Sequence, residues 1–243
     1  MQIKRIISVF VFAFFVVSII NAADTEALNG IWIPKNIYDW VVNNPGDRVL
    51  NNLTMLEGRF QISWDERAQK GVFITGMDIN PMNRVDISHD RIKMVYSGKE
   101  IIFKVISNDV VQVISHPYNG KYDFMYRVFD PGKPTIAKGK INNDRVRFRT
   151  KPELTSGVWY FLDNGEQVEI TGRSEEKQII GEMEDYWYEV SICVDGSGVE
   201  RSSIRLRYSN MFLDGWVYGA YIDIDDKAKL ENYFRKKENN EVR

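Results

Sequence analysis

The apolar residues of this chain recur with a period of two, in short runs, and this restricts its fold more than any other feature. Phe60, Ile62 and Trp64 alternate with Gln61 and Ser63, and Ile92, Met94 and Tyr96 alternate with Lys93 and Val95. Residues 102–106 and 110–114 follow, split by Ser107-Asn108-Asp109, and Phe124, Tyr126 and Val128 come after Asn119-Gly120. Successive side chains of a strand point to opposite faces, so this spacing gives most of these runs one apolar side. Polar turns such as Ser97-Gly98-Lys99 join the runs into an antiparallel meander. A meander leaves two open edges, and closure into a barrel removes them. The predicted fold class is therefore all-β, opening with a meander or barrel. With 243 residues, 44% of them hydrophobic, the chain has apolar material for two small domains or one large β domain.

The N-terminus reads as an address. Lys4 and Arg5 precede an uncharged apolar run over residues 6–20, small residues follow at Ala22 and Ala23, and Ile20-Asn21-Ala22 is the best cleavage tripeptide. At roughly 15 residues the run is short for a bilayer span of ~20. The expectation is a cleaved signal peptide over residues 1–22, an exported periplasmic or extracellular protein, and a mature form that does not span a membrane. Cys193 is the single cysteine, so no intramolecular disulfide can form, and its apolar neighbours predict a small buried hydrophobe. Past the signal, Gly30-Ile31-Trp32-Ile33 predicts a strand stopped by Pro34. Ile37, Tyr38, Trp40 and Val41 then have the spacing of a short helical face, ended by Asn43-Asn44-Pro45-Gly46-Asp47.

Asp130-Pro131-Gly132-Lys133-Pro134 is the main punctuation, since two prolines and a glycine do not fit a central strand. It divides an N-terminal β domain (23–138) from a second domain (139–225), followed by a charged tail (226–243) with Leu230, Tyr233 and Phe234 at helical spacing. In the second domain Val146 and Phe148 sit between Arg145, Arg147 and Arg149. Tyr186, Tyr188 and Val190 share one strand face with Trp187 opposite, Ile204, Leu206 and Tyr208 predict a further strand, and Trp216 and Tyr218 flank Val217.

Four pieces of this second domain carry a resemblance. Asp144-Arg145-Val146-Arg147-Phe148-Arg149-Thr150-Lys151-Pro152 resembles the opening strand and Pro turn of bacterial SH3-like domains, and Asn164-Gly165-Glu166-Gln167-Val168-Glu169-Ile170 resembles their next hairpin. Tyr186-Trp187-Tyr188-Glu189-Val190 is similar to their Trp-x-x-Val strand, and Asp214-Gly215-Trp216-Val217-Tyr218-Gly219-Ala220-Tyr221-Ile222 to their Gly-Trp-Val ending. The match covers about residues 141–225 and implies a small SH3-like β-barrel that binds cell-envelope material. The chain departs from the pattern between Gly172 and Tyr186, where a charged insertion could reshape or cover a groove, and between Val190 and Gly215. In the first domain, Gly30-Ile31-Trp32 is similar to the Gly-x-Trp that opens lipocalin-like barrels.

The sequence offers no recognisable catalytic site. His89 and His116 are the two histidines, neither follows Cys193, and there is no His-Glu-x-x-His, zinc-type cysteine cluster or Gly-x-Ser-x-Gly elbow. No catalytic residue, metal ligand or cofactor is assigned. Aromatic rings provide rigid amphipathic surface at small entropic cost. Trp159, Trp187, Tyr188, Tyr218 and Tyr221 are accordingly the candidate ligand-binding residues, with two or three rings expected to stand exposed together. Residues 141–225 hold nine Lys plus Arg and sixteen Asp plus Glu, a balance of 9 − 16 = −7. That argues against nucleic acid and other polyanions and leaves a peptidoglycan peptide or a protein or peptide partner. Two other classes are compatible with the sequence: a carrier of small apolar ligands in the first barrel, and a hydrolase with carboxylates of no recognisable motif.

Overall fold

The computed structural model describes residues 28–44, 60–65, 70–75, 78–88, 90–117, 123–193 and 212–241. The expected export signal with its cleavage tripeptide, the turns expected at Pro45-Gly46-Asp47 and Asn119-Gly120, His89, and the strand expected around residues 204–208 lie outside the described residues.

Among the described residues the fold is all-β apart from two α-helices and a short 3-10 turn. Its first eight strands are β1 (Gly30–Pro34), β2 (Phe60–Asp65), β3 (Lys70–Thr75), β4 (Asp78–Ser88), β5 (Arg91–Tyr96), β6 (Lys99–Ser107), β7 (Val110–Ser115) and β8 (Phe124–Phe129). Each pairs antiparallel with the next, and β1 closes the ring on β8 from Ile31↔Phe129 to Pro34↔Met125. The period-two reading of β5 holds: Ile92, Met94 and Tyr96 are buried, and Arg91, Lys93 and Val95 are not. An eight-stranded barrel is just wide enough to be filled by side chains. Here Trp32, Phe60, Tyr96 and Phe103 belong to that filling, with the Phe60 and Phe103 rings edge to face at 6.5 Å. Trp32 donates its indole N–H to the Leu28 carbonyl at 2.8 Å, and the Arg127 guanidinium lies 5.6 Å from its ring centre. Gly30 is required here: its φ is 144°, and a Cβ would lie 2.3 Å from the Phe129 carbonyl oxygen.

Helix α1 (Lys35–Asn43) starts directly after Pro34, as the spacing of Ile37, Tyr38 and Val41 predicts. The C-terminal strands are β9 (Ala137–Ile141), β10 (Val146–Arg149), β11 (Val158–Leu162), β12 (Gln167–Arg173), β13 (Gln178–Ile180), β14 (Met183–Asp185), β15 (Trp187–Cys193), β16 (Phe212–Tyr218) and β17 (Ile222–Ile224). Seven of them form one sheet in the order β11-β10-β16-β15-β12-β9-β17, while β13 and β14 pair as a separate hairpin. This sheet keeps two edges, β11 and β17, and its inner face is closed by packing. Phe148, Val190, Leu213 and Val217 join Ile31, Ile33, Val128 and Phe129 from the outside of the barrel in one core. Cys193, predicted to be buried, is half-buried at the end of β15. The SH3-like description of this region rests on the sequence resemblance.

Helix α2 (Lys227–Glu241) closes the fold. The Asp226 carboxylate accepts the Lys229 N–H at 2.8 Å, a helix cap, and Leu230 and Phe234 bury against the sheet. Arg173 pins the helix, donating to Glu231 at 3.0 Å and Glu238 at 2.7 Å with its guanidinium between the Tyr186 and Phe234 rings.

Candidate functional site

Strand β10 reads Val-Arg-Phe-Arg. Its alternation buries Val146 and Phe148 in the shared core, so Arg147 points to the opposite, outer face. The pairing Arg149↔Trp216 sets β16 beside this strand, and Trp187↔Tyr218 sets β15 beyond it. At the end of β16 a 3-10 turn, Gly219–Tyr221, brings in a third ring. Trp187 and Tyr218 meet edge to face at 5.5 Å, and Tyr218 and Tyr221 at 6.2 Å. These rings and Arg145, Arg147 and Arg149 line one pocket of about 220 Å³, with Leu154 and Ile180 also in its wall.

Of the five sequence-predicted residues, Trp187, Tyr218 and Tyr221 come together in this pocket. The other two do not. Tyr188 is on the inner face, fully buried, and Trp159 sits edge-on to Tyr38 at 5.0 Å. The open aromatic groove expected from sequence is not formed by these rings, because Trp159, Trp187, Tyr188 and Tyr218 are each no more than 3% exposed. The charged insertion explains much of this. Its β13–β14 hairpin folds over the outer face, where Tyr218 Oη accepts the Asp185 N–H at 2.8 Å. The Tyr218 hydroxyl hydrogen is shared between the carbonyls of Gln178 at 2.7 Å and Met183 at 2.8 Å. Trp187 Nε1 donates to Gln178 Oε1 at 2.9 Å. What remains accessible is the arginine side of the ring cluster.

The three arginines are pocket residues that the sequence reading did not place among its ligand-binding candidates. Their signal was the Arg-x-Arg-x-Arg spacing across a strand. Arg149 is 5% exposed, and its Nη1 donates to the Ser156 carbonyl at 2.8 Å. Among the described residues no carboxylate pairs with Arg149 or with the exposed Arg147. Burial, and then the charge of Arg147, lower the Arg149 pKa from its usual value. Arg145 adopts φ 55° and stacks its guanidinium over Phe161 at 4.7 Å. The one carboxylate in the wall, Asp144, accepts the Asn164 N–H at 3.2 Å.

A second cleft, about 490 Å³, lies where the barrel, α1 and the C-terminal sheet meet. Lys133, from the Pro-Gly punctuation, reaches Glu189 at 2.5 Å and Asp214 at 3.8 Å. Asp214 also accepts the Asp130 N–H at 2.9 Å and the Ser191 hydroxyl. Burial works against the Lys133 charge, but Glu189 and Asp214 outweigh it and raise its pKa. Burial also pushes the Glu189 carboxyl up against the pull of Lys133, since two carboxylates share one ammonium. These ions satisfy one another and tie the link between the two sheets to β15 and β16.

No family model, curated protein or solved structure matches the chain. No helix among the described residues is long and apolar enough to cross a membrane.

Proposed function

We propose that this chain is an exported, non-catalytic binding protein, and that its SH3-like C-terminal part takes a peptide at the arginine–aromatic pocket. The peptide belongs to peptidoglycan or to a protein partner. The observation that carries the reading is the pocket itself: Arg145, Arg147 and Arg149 line it beside Trp187, Tyr218 and Tyr221, with a single wall carboxylate already engaged by a backbone N–H. Such a wall supplies hydrogen-bond donors from the arginines and one half-buried ring, Tyr221, which suit holding a ligand. The carrier reading has less behind it, because rings of Trp32, Phe60, Tyr96 and Phe103 occupy the barrel interior.

The test is retention on purified sacculi and on immobilised peptides, comparing the wild type with Arg147→Glu. Arg147 is exposed and its substitution leaves the core intact, whereas Trp187→Ala would empty a buried site and confuse unfolding with lost binding. Retention of the wild type that the Arg147→Glu chain loses supports the reading. A wild type held by neither sacculi nor peptides refutes it.

A further inference from the structure

Three properties of the pocket select its ligand. Its volume, about 220 Å³, is below the ~300–1,000 Å³ of sites that enclose whole small molecules, so it takes one residue's worth of atoms and not a passing chain. Its charge is locally positive, with Arg147 and Arg149 against the one aspartate, inside a region whose overall balance is −7 from nine basic and sixteen acidic residues. Its most buried cation, Arg149, spends one N–H on a carbonyl and has no carboxylate among the described residues. A buried guanidinium is stable when an anion pairs with it, and its planar fork matches the two oxygens of a carboxylate.

Resting on the peptide-binding reading above, we infer that this pocket recognises the free C-terminal carboxylate of a peptide. Arg149 holds its oxygens, Arg147 adds charge from the same strand, and a small apolar terminal side chain lies against Tyr221 and Leu154. A phosphate would meet the same arginines, but a dianion suffers more from the acidic surroundings, so a singly charged carboxylate is favoured.

The experiment follows the Trp187 indole N–H resonance of the whole exported chain. That N–H donates to Gln178 at the pocket wall and so reports on it. Three probes are titrated separately: N-acetyl-trialanine with a free carboxylate, the same peptide as its C-terminal amide, and inorganic phosphate. The acid is expected to give a saturable shift, with the amide and phosphate at least about tenfold weaker, the scale of one lost charge-assisted bidentate contact. Arg149→Met is expected to abolish the shift, and Arg147→Gln, on the exposed side, to weaken it about three- to tenfold with the spectrum of the free protein retained. The Arg147→Gln arm keeps the inference testable if Arg149→Met does not fold. Equal binding of acid and amide overturns the carboxylate inference and leaves peptide binding standing. Tighter binding of phosphate overturns it in favour of a phosphate site. No shift with either peptide overturns it too, and retention on sacculi then decides whether the broader reading survives.

Discussion

Tyr218→Phe tests whether the hairpin that roofs the aromatic cluster is held by a single hydroxyl. The ring contacts with Trp187 at 5.5 Å and Tyr221 at 6.2 Å are retained by phenylalanine, so the change isolates the oxygen. That oxygen accepts from Asp185 and shares one hydrogen between the carbonyls of Gln178 and Met183. Counting the shared hydrogen once leaves two bonds, each worth about 0.5–1.5 kcal/mol net, so the loss is about 1–3 kcal/mol. The loss falls on β13–β14, which sits outside the seven-stranded sheet and is locally separable. Amide exchange of Gln178–Ile180 and Met183–Asp185 should accelerate, and acrylamide should reach Trp187 more readily, with urea unfolding giving the global share. Unchanged exchange and quenching, with a loss below about 0.5 kcal/mol, would show that the Trp187–Gln178 bond and the Gln178 amide on Pro152 hold the roof without the hydroxyl.

Arg173→Ala should cost about 2–3 kcal/mol and release α2, because it removes two ring contacts and two ion pairs whose carboxylates are 45% and 62% exposed; urea unfolding should find the difference smaller at high salt. Tyr188→Phe should be neutral or stabilising by up to about 1 kcal/mol, since the Tyr188 hydroxyl is buried with no hydrogen-bond partner among the described residues. Thermal unfolding checks it, and a loss above that size would show a hidden partner. Lys133→Met should cost about 2–4 kcal/mol near neutral pH by stranding Glu189 and Asp214. The cost should shrink as pH falls, because burial raises the Glu189 carboxyl above its unfolded value. Its ionised form therefore costs stability above that window, and protonation relieves it. In the wild type the raised Lys133 pKa acts in the opposite range: its stabilisation is complete below its unfolded value of 10.5 and is lost as pH climbs past the folded one. Stability curves against pH for the two chains would separate these effects.

The fold was legible where one side of a strand meets a core and the other meets water. The alternation of Ile92, Met94 and Tyr96 was readable for this reason, and so was Val146 with Phe148. Helix α1 was marked by Ile37, Tyr38 and Val41, and α2 by Leu230 and Phe234. Strand β9, Ala-Lys-Gly-Lys-Ile, was not identified, since its only large apolar side chain is at one end and its membership comes from pairing with β12 and β17. The hairpin β13–β14 was not readable either. Ile179 at its centre is 73% exposed, so no burial pattern betrays it, and its place is set by the distant Tyr218 hydroxyl.

The site was half legible for a related reason. Period two correctly sets Trp187 opposite Tyr188 and Tyr218 opposite Val217, but it does not say which of the two faces is the inner one. Outer face was then equated with solvent, and the inserted hairpin breaks that equation by covering the same rings. Net charge is equally silent about the pocket. A sum of −7 over residues 141–225 describes the far field and says nothing about where charges cluster. The Arg-x-Arg-x-Arg run concentrates positive charge beside one pocket, while Glu189 and Asp214 of the same region are occupied by Lys133 in the neighbouring cleft. An acidic region can therefore present a cationic pocket, and a small anion that reaches Arg149 gains a contact that the surrounding field denies to a long polyanion.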